Sequence, residues 1–419
     1  MLDRTLSTIN SLVLACCLGL IFTPVNALGI AATTVLLTTI IASLANIKQL
    51  WRFLQHHKVA TLLVWLYPLV STAIQLWRGE FGSFSAQLNL GIALTPLIAF
   101  SYSRIGLNKH ALAAGVGLGA LIGTLNGLNF WLDENARVRL HSTAFNTIYY
   151  GMYASMYCLI MLWMAIQLAI SKRIVASVTA LALCVGLAST TLAIASKGPI
   201  LNLVLIACLY PIMLSKNWRW AIATGATMAV ICAAGLLMVF TVFQDMPAVA
   251  RFDEVFKLLA QFPNIAPENT STGLRVQFYQ LAFEAARQAP LFGFSDVEII
   301  QLKESWLASG QATTWVTKYT HLHSDIMNAL GKLGLAGLLA YLTACAVAGK
   351  LLFTTYRGNT ALTLVLTAAL GFFATGLFDS LLESARGIMT VLVLTSLGAG
   401  LVNQVTPAPN PVTPAKAGV

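Results

Sequence analysis

The sequence predicts an all-α polytopic membrane protein with about twelve transmembrane helices, and three observations support this. Hydrophobic residues make up 58% of the 419 positions and charged residues 10%, whereas soluble domains carry roughly 25% charged residues. Apolar runs long enough to cross a bilayer recur along the chain. Basic residues are concentrated in alternate connections between those runs. Because so apolar a chain cannot cover a surface that faces water, lipid must be its solvent.

The apolar runs set the order of the predicted spans. They lie near residues 9–25, 28–46, 60–76, 86–102, 111–130, 145–170, 174–195, 199–214, 219–243, 324–349, 360–378 and 387–403. One long polar segment separates the ninth span from the tenth, and a Pro-rich stretch that predicts disorder follows the twelfth. We therefore divide the chain into spans 1–9 (residues 1–243), a helical loop (244–322), spans 10–12 (323–403) and a disordered tail (404–419).

The basic residues predict the orientation. With a cytoplasmic N-terminus, the inside connections hold Arg4, Lys48, Arg52, Lys58, Arg104, Lys109, Lys172, Arg173, Lys216, Arg219, Lys350, Arg357 and Lys416. The short outside connections hold only Arg78, Arg137, Arg139, Lys197 and Arg386. By the positive-inside rule both termini are cytoplasmic. The 244–322 segment then faces the periplasm of a bacterium, from a multi-pass protein of the inner membrane.

Several function classes lack support. The sequence holds neither a GxxxxGK[ST] loop nor a Rossmann fingerprint, so nucleotide-driven transport and nucleotide-sugar binding are not indicated. The basic residues stand singly between apolar runs, which is explained by topology rather than by nucleic-acid binding. Aspartate-rich metal motifs are missing as well. We expect no metal, no other cofactor and no nucleic-acid partner.

The large loop predicts two helices. Residues 269–272 offer helix N-caps, and a helical run continues to about Gln288, ahead of Pro290. Arg275 and Tyr279 are four residues apart and therefore share a face of this helix. A second helix is predicted for about residues 296–307, where an acidic residue begins the run.

His323 lies where this loop meets span ten, two residues before Asp325. A histidine titrates near neutral pH, so it can accept a proton from a hydroxyl group. The alternative is an interfacial histidine without a role. His321 is a weaker candidate, and although two histidines two residues apart can hint at a metal site, no third ligand is evident.

Cations in separate outside connections could converge on one anionic group. Arg275 lies in the large loop, Lys197 lies at the end of span seven, and Arg137 and Arg139 lie in another connection. Arginine offers paired donors to phosphate oxygens. The alternatives are ordinary salt bridges for the arginines and an interfacial anchor for Lys197. These residues favour an enzyme acting on a lipid-linked anionic substrate, or an exporter or flippase of that substrate.

Three stretches resemble a known family. Residues 271–275 leading to 290–294 resemble its Arg-helix-Pro-Leu-x-Gly pattern, and residues 323–337 resemble its His-Asn/Ser signature running into a Gly-Leu-x-Gly helix. Ser196-Lys197-Gly198 is similar to its Ser-Arg-Gly element, with lysine in place of arginine. The family is the O-antigen ligase and polymerase superfamily of bacterial envelope glycosyltransferases.

The resemblance implies a GT-C-like fold and a metal-independent inverting glycosyl transfer. The donor would be O-antigen on undecaprenyl pyrophosphate, and the acceptor a sugar hydroxyl of lipid A–core within the membrane. His323 would be the general base. Arg275 and Lys197, with Arg137 and Arg139, would bind the pyrophosphate. Supporting roles fall to His321, Asp325 and Tyr279.

Within the family we favour a ligase over a polymerase, because Arg275 and His323 lie in one loop laid out as in ligases. Protein O-oligosaccharyltransferases tend to be longer, with added C-terminal sequence, and this chain stops soon after span twelve. We therefore expect a ligase of lipopolysaccharide biosynthesis.

Overall fold

A computed structural model provides the structure of the protein. It describes residues 2–23, 26–80, 84–133, 147–194, 198–204, 267–356, 360–377 and 379–402, with isolated pieces between 208 and 241. The helices that it bounds in these ranges are α1 (Leu2–Leu20), α2 (Ala27–Ala45), α3 (Ile47–His56), α4 (Lys58–Trp77), α5 (Phe84–Ala93), α6 (Thr95–Ile105), α7 (Lys109–Leu132), α8 (Thr147–Ile170), α9 (Ile174–Ala193), α10 (Ser271–Gln288), α11 (Asp296–Ala308), α12 (Asp325–Tyr356), α13 (Thr360–Gly376) and α14 (Ala385–Val402).

The predicted fold class is confirmed. Six helices within the described ranges are long and apolar enough to cross a membrane, and α14 is a shorter apolar helix. These six are α2, α4, α7, α8, α9 and α12, the last over Asp325–Lys350. The predicted spans at 199–214 and 219–243 lie mostly outside the described residues.

The predicted span at 86–102 is two short helices, α5 and α6, rather than one. Pro96 stands in the first turn of α6 and has no N–H with which to continue a helix from α5. The carbonyl groups at the break find other donors. The Thr95 hydroxyl donates to Ile92 O at 2.8 Å, and Trp65 Nε1 of α4 donates to Ala93 O at 2.8 Å. The interruption is therefore satisfied by side chains inside the bundle.

Close helix packing builds the bundle around α8. Every residue from Tyr149 to Met161 is buried, and its tyrosine hydroxyls reach partners on other helices. Tyr157 donates to Leu18 O at 2.7 Å. Glycines of α7 bring it directly against α1, since a Cβ on Gly115 would lie 2.3 Å from Ala15 O. Small residues allow such backbone contact inside membranes.

The two predicted loop helices are confirmed as α10 and α11. Thr270 caps α10 by accepting from Gly273 N, and Ser295 begins α11 with a capping box completed by Glu298. Both helices pack with the start of α12 around a small core that includes Phe278, Leu281, Ile299 and Leu322.

A backbone break in α12 joins this loop to the bundle. Gly334 has φ +64° and ψ −159°, which is not helical, and the segment from Pro290 to Phe294 lies against it. Three hydrogen bonds connect them: Phe294 N to Gly331 O at 2.9 Å, Leu335 N to Pro290 O at 2.8 Å, and Ala336 N to Leu291 O at 3.1 Å. The groups freed by the break are thereby satisfied.

Arg78, directly after α4, fastens the same joint from the other side. Its guanidinium donates to Lys332 O at 2.9 Å, to Phe292 O at 2.9 Å and to Gly293 O at 2.7 Å. An arginine on three carbonyl oxygens holds backbone from two separate parts of the chain. The joint therefore fixes how α10 and α11 sit on the first turns of α12, which His323 directly precedes.

Candidate active site

His323 precedes α12 in a left-handed backbone conformation with φ +50°. This conformation costs an L-residue of this kind about 1–2 kcal/mol, so contacts around it must hold it. Leu322 N donates to Asn328 Oδ1 at 2.8 Å, and Asn328 Nδ2 donates to Ser380 Oγ at 2.6 Å. Backbone strain held in this way is common where function requires one side-chain direction.

Aromatic rings surround the His323 imidazole. The ring centroids of Phe278, Tyr319 and His321 lie 4.9, 4.6 and 4.4 Å from that of His323. Buried Lys303 supports two of these neighbours, because its amine donates to Tyr319 O at 2.7 Å and lies 5.2 Å from the centroid of the Phe278 ring. The rotation of the imidazole is therefore restricted by packing.

Asp379, from the connection between α13 and α14, faces the imidazole. His323 Nδ1 lies 3.4 Å from Asp379 Oδ1, and the two side chains are 15% and 10% exposed. That separation is longer than a normal N–H···O hydrogen bond, so the pair is a close electrostatic contact. Burial raises the pKa of Asp379, but His323 and then Arg275 lower it more, and the net pKa is below its ordinary value. The carboxylate is therefore charged at neutral pH.

Burial lowers the pKa of two other ionisable groups in this cluster. Burial, and then the neighbouring His323, lower the pKa of His321 to about 4, so His321 is neutral at pH 7. Burial and the charge of Lys332 lower the pKa of Lys303 to about 8. His323 therefore has one carboxylate and one neutral imidazole beside it.

Arg275 lies on α10 and is close enough to contribute to the pKa of both Asp379 and Tyr279. Its Nη1 donates to Ser271 O at 3.0 Å and to Ser271 Oγ at 2.6 Å. Tyr279, one turn along the same face, donates to Leu377 O at 3.3 Å. The structure thus brings Arg275, Tyr279, His321 and His323 into one neighbourhood.

A family model fits the part of the chain that carries Arg275, Tyr279, His321 and His323. Residues 182–342 match the model of the O-antigen ligase family, a range that includes α10, α11 and the start of α12. This match supports membership of the O-antigen ligase superfamily. No curated protein matches the chain. The match, together with the apolar helices, indicates a membrane-embedded protein with a ligase or polymerase role, glycosyltransferase-like activity, and polysaccharide and lipid-linked substrates in general.

Asp325 has a structural position beside this cluster. It is buried, its Oδ1 accepts from Leu382 N at 2.9 Å, and a Cβ on Gly376 would lie 2.5 Å from its Oδ2. These contacts tie the first turn of α12 to both ends of the α13–α14 connection. Asp325 thereby helps to hold Asp379 opposite His323.

A second charged cluster lies two turns further along α12. Lys332 Nζ is 2.9 Å from both Asp296 Oδ1 and Glu383 Oε2. Beside it is a cavity of about 40 Å³ lined by polar side chains that include Gln75, whose Oε1 is buried without a described hydrogen-bond partner. A cavity of this size holds a few water molecules. The lysine joins α11, α12 and the α13–α14 connection.

Three predicted phosphate ligands, Lys197, Arg137 and Arg139, lie outside the described residues. Their roles stay predictions. Within the part of the chain that the structure describes, no three His, Cys, Asp or Glu side chains are grouped so that they could hold a metal ion.

Asp379 was not among the site residues predicted from the sequence. Its partner His323 is 56 positions away, and neither spacing nor a local motif connects them. The available signal was an acidic residue at the outer end of a predicted span, where charges often mark a functional cavity. Phe278 and Tyr319 gave no sequence signal beyond ordinary core residues.

Proposed function

We propose that this protein is an O-antigen ligase, an inverting glycosyltransferase that moves O-antigen polysaccharide from undecaprenyl pyrophosphate to a sugar hydroxyl of lipid A–core. The reaction would take place on the periplasmic side of the bacterial inner membrane. The observation that carries the proposal is His323, which lies inside the segment that matches the O-antigen ligase family and is held at positive φ against Asp379.

In this proposal His323 is the general base. Its Nδ1 faces Asp379, which leaves Nε2 as the nitrogen that accepts the proton of the acceptor hydroxyl. The hydroxyl oxygen then attacks the anomeric carbon, and the bond from that carbon to the pyrophosphate oxygen breaks. Attack from the opposite face inverts the anomeric configuration. The Asp379 carboxylate stabilises the positive charge that develops on the imidazole.

Arg275 is proposed to bind the pyrophosphate as it leaves. A guanidinium forms paired hydrogen bonds to phosphate oxygens and stabilises the charge that develops on them. Lys197, Arg137 and Arg139 are proposed to add further positive charge from other connections, Lys197 as a point charge rather than a fork. The Ser271 contact of Arg275 holds its side chain along α10.

The acceptor distinguishes this proposal from its alternatives. A polymerase or a protein O-oligosaccharyltransferase would use the same donor and base with another acceptor, whereas an exporter or flippase would form no new glycosidic bond. We expect purified protein, given lipid-linked glycan and lipopolysaccharide acceptor, to form glycosylated lipid A–core. A deletion strain should accumulate lipid-linked polymer, and its lipid A–core should carry no O-antigen. Core capped by a single repeat would identify a polymerase, and glycan crossing liposomes without transfer would identify a flippase.

Arg275→Gln is expected to lower kcat/KM for the donor by roughly 10²–10³-fold, the usual loss when one donor to a developing oxyanion is removed. Arg287→Gln is the matched control, because Arg287 is on the same helix, is exposed and pairs with Glu284. It should stay near the wild-type rate. Steady-state transfer kinetics measure both, and equal activity of the two variants would remove Arg275 from the mechanism.

Asp379→Asn is expected to lower kcat at least tenfold, because an amide does not stabilise charge on His323 as a carboxylate does. The KM for the donor should change much less, since Asp379 is proposed to act through His323. Glu304→Gln is the control, an equal change of charge at an exposed position of α11. A rise in the donor KM with kcat unchanged would contradict this role.

A further inference from the structure

The short helix α3 connects α2 to α4 and is strongly two-sided. Ile47, Leu50, Trp51 and Leu54 follow the helical spacing of one face, while the opposite face is polar and carries Lys48, Arg52 and His56. Leu50 is 7% exposed and packs inward, whereas Trp51 is 62% exposed. The apolar face is therefore wider than the contact that α3 makes with the rest of the protein.

The length of α3 determines where it lies. Ten residues of α-helix reach about 15 Å, which is too short for a hydrocarbon core of about 30 Å. Its neighbours α2 and α4 are both long and apolar enough to cross the membrane. A two-sided helix between two crossing helices lies along the membrane surface, with Trp51 at the level of the head groups and acyl chains.

The turn between α6 and α7 is at the same end of the molecule as α3. Phe53 of α3 packs against Phe100 of α6, with ring centroids 5.5 Å apart. Leu6, Ala42 and Ile105 form a small core between α1, α2 and α6. An open concavity of about 480 Å³ lies beside this core, and its lining includes Arg104, Lys109 and His110.

Charge at this end is almost entirely positive. The structure places one acidic side chain there among the residues it describes, Asp3, which lies 3.6 Å from Arg104. Lys48, Arg52, Lys58 and Lys109 are exposed. An apolar helix face at membrane depth, beside an open basic concavity, is complementary to a lipid with a negatively charged head group.

We propose that α3 and the α6–α7 turn form a binding surface for anionic phospholipid head groups. Lys48 and Arg52 contact the phosphates along α3 while Trp51 and Ile47 enter the acyl region, and Lys109 with His110 contacts a head group in the concavity. This surface is at the opposite end of the bundle from His323, and it does not depend on the reaction that the protein catalyses.

The test compares lipid retention by full-length protein variants. Wild-type protein in vesicles of equal phosphatidylglycerol and phosphatidylcholine is extracted into detergent, and bound lipids are counted by native mass spectrometry. We expect selective retention of phosphatidylglycerol. One basic residue contributes about fivefold to anionic-lipid affinity. The double variant Lys48→Gln, Arg52→Gln should therefore reduce the retention of phosphatidylglycerol roughly 25-fold.

Lys172→Gln with Arg173→Gln is the matched control. This pair is exposed at the turn between α8 and α9, which has no surface helix like α3. It should change retention clearly less than the α3 pair does, because no surface helix with an apolar face and no basic concavity is described beside it. All variants replace exposed side chains, and their folding is checked by elution and by melting temperature. Equal retention by wild type and the α3 variant, or an equal loss in the control, would overturn the proposal.

Discussion

His323→Ala is expected to lower kcat for glycosyl transfer by roughly 10²–10⁴-fold, the usual contribution of a general base. The variant should keep the pyrophosphate contacts proposed for Arg275, so the KM for the donor should change little. The measurement is transfer of lipid-linked glycan to lipopolysaccharide by purified protein, with abundance in the membrane checked in parallel. Normal abundance together with retained activity would remove His323 from the mechanism.

His323→Gly separates the chemical role of His323 from a structural one. Glycine adopts a φ of +50° without steric cost, so this variant relieves backbone strain while it removes the base. We expect it to be as inactive as His323→Ala and to melt at a higher temperature than His323→Ala. If His323 were only an interfacial side chain, both variants would remain active.

His321→Ala is the neighbouring control for the two His323 variants. His321 contacts the same imidazole, with ring centroids 4.4 Å apart, but its pKa is lowered to about 4 by burial and by His323. We expect a loss of no more than about tenfold, caused by looser packing of His323. If His321→Ala lost as much activity as His323→Ala, the assignment of His323 rather than His321 as the base would be contradicted.

Elements with local signals were predictable from the sequence. The bounds of α10 follow from the N-caps at residues 269–272 and from Pro290, and the start of α11 follows from the acidic Asp296. The fold class was also predictable, because the length of each apolar run can be read directly from the sequence. The position of His323 at the start of α12 was also readable from the chain.

Features that depend on distant contacts were not predictable. The contact of His323 with Asp379 joins residues 56 positions apart, and no periodicity records it. The division of the predicted fourth span depends on Pro96, but the span was read by hydropathy, which proline hardly changes. The break in α12 was hidden similarly, because glycine is common in membrane helices and only its contact with Pro290–Phe294 shows why Gly334 is required.

Gly334→Ala is expected to destabilise the protein by about 3 kcal/mol or more, because its φ and ψ belong to a region that is essentially restricted to glycine. A Cβ there would also lie 2.6 Å from Gly293 N and from the carbonyl group of Leu291. Those atoms belong to the backbone of the joint, so no side-chain rotation relieves the contact. The melting temperature in detergent measures the loss.

Gly349→Ala in the same helix is the matched control. A Cβ at Gly349 meets nothing within 4 Å, and alanine favours a helix over glycine by about 0.5–1 kcal/mol. This variant should be as stable as wild type or slightly more so. The same Gly→Ala change is therefore expected to lower the melting temperature at position 334 and not at position 349. This difference tests whether the break in α12 is held by Pro290–Phe294. If Gly334→Ala melts like Gly349→Ala, α12 can straighten without cost, and the joint does not position the loop that carries Arg275.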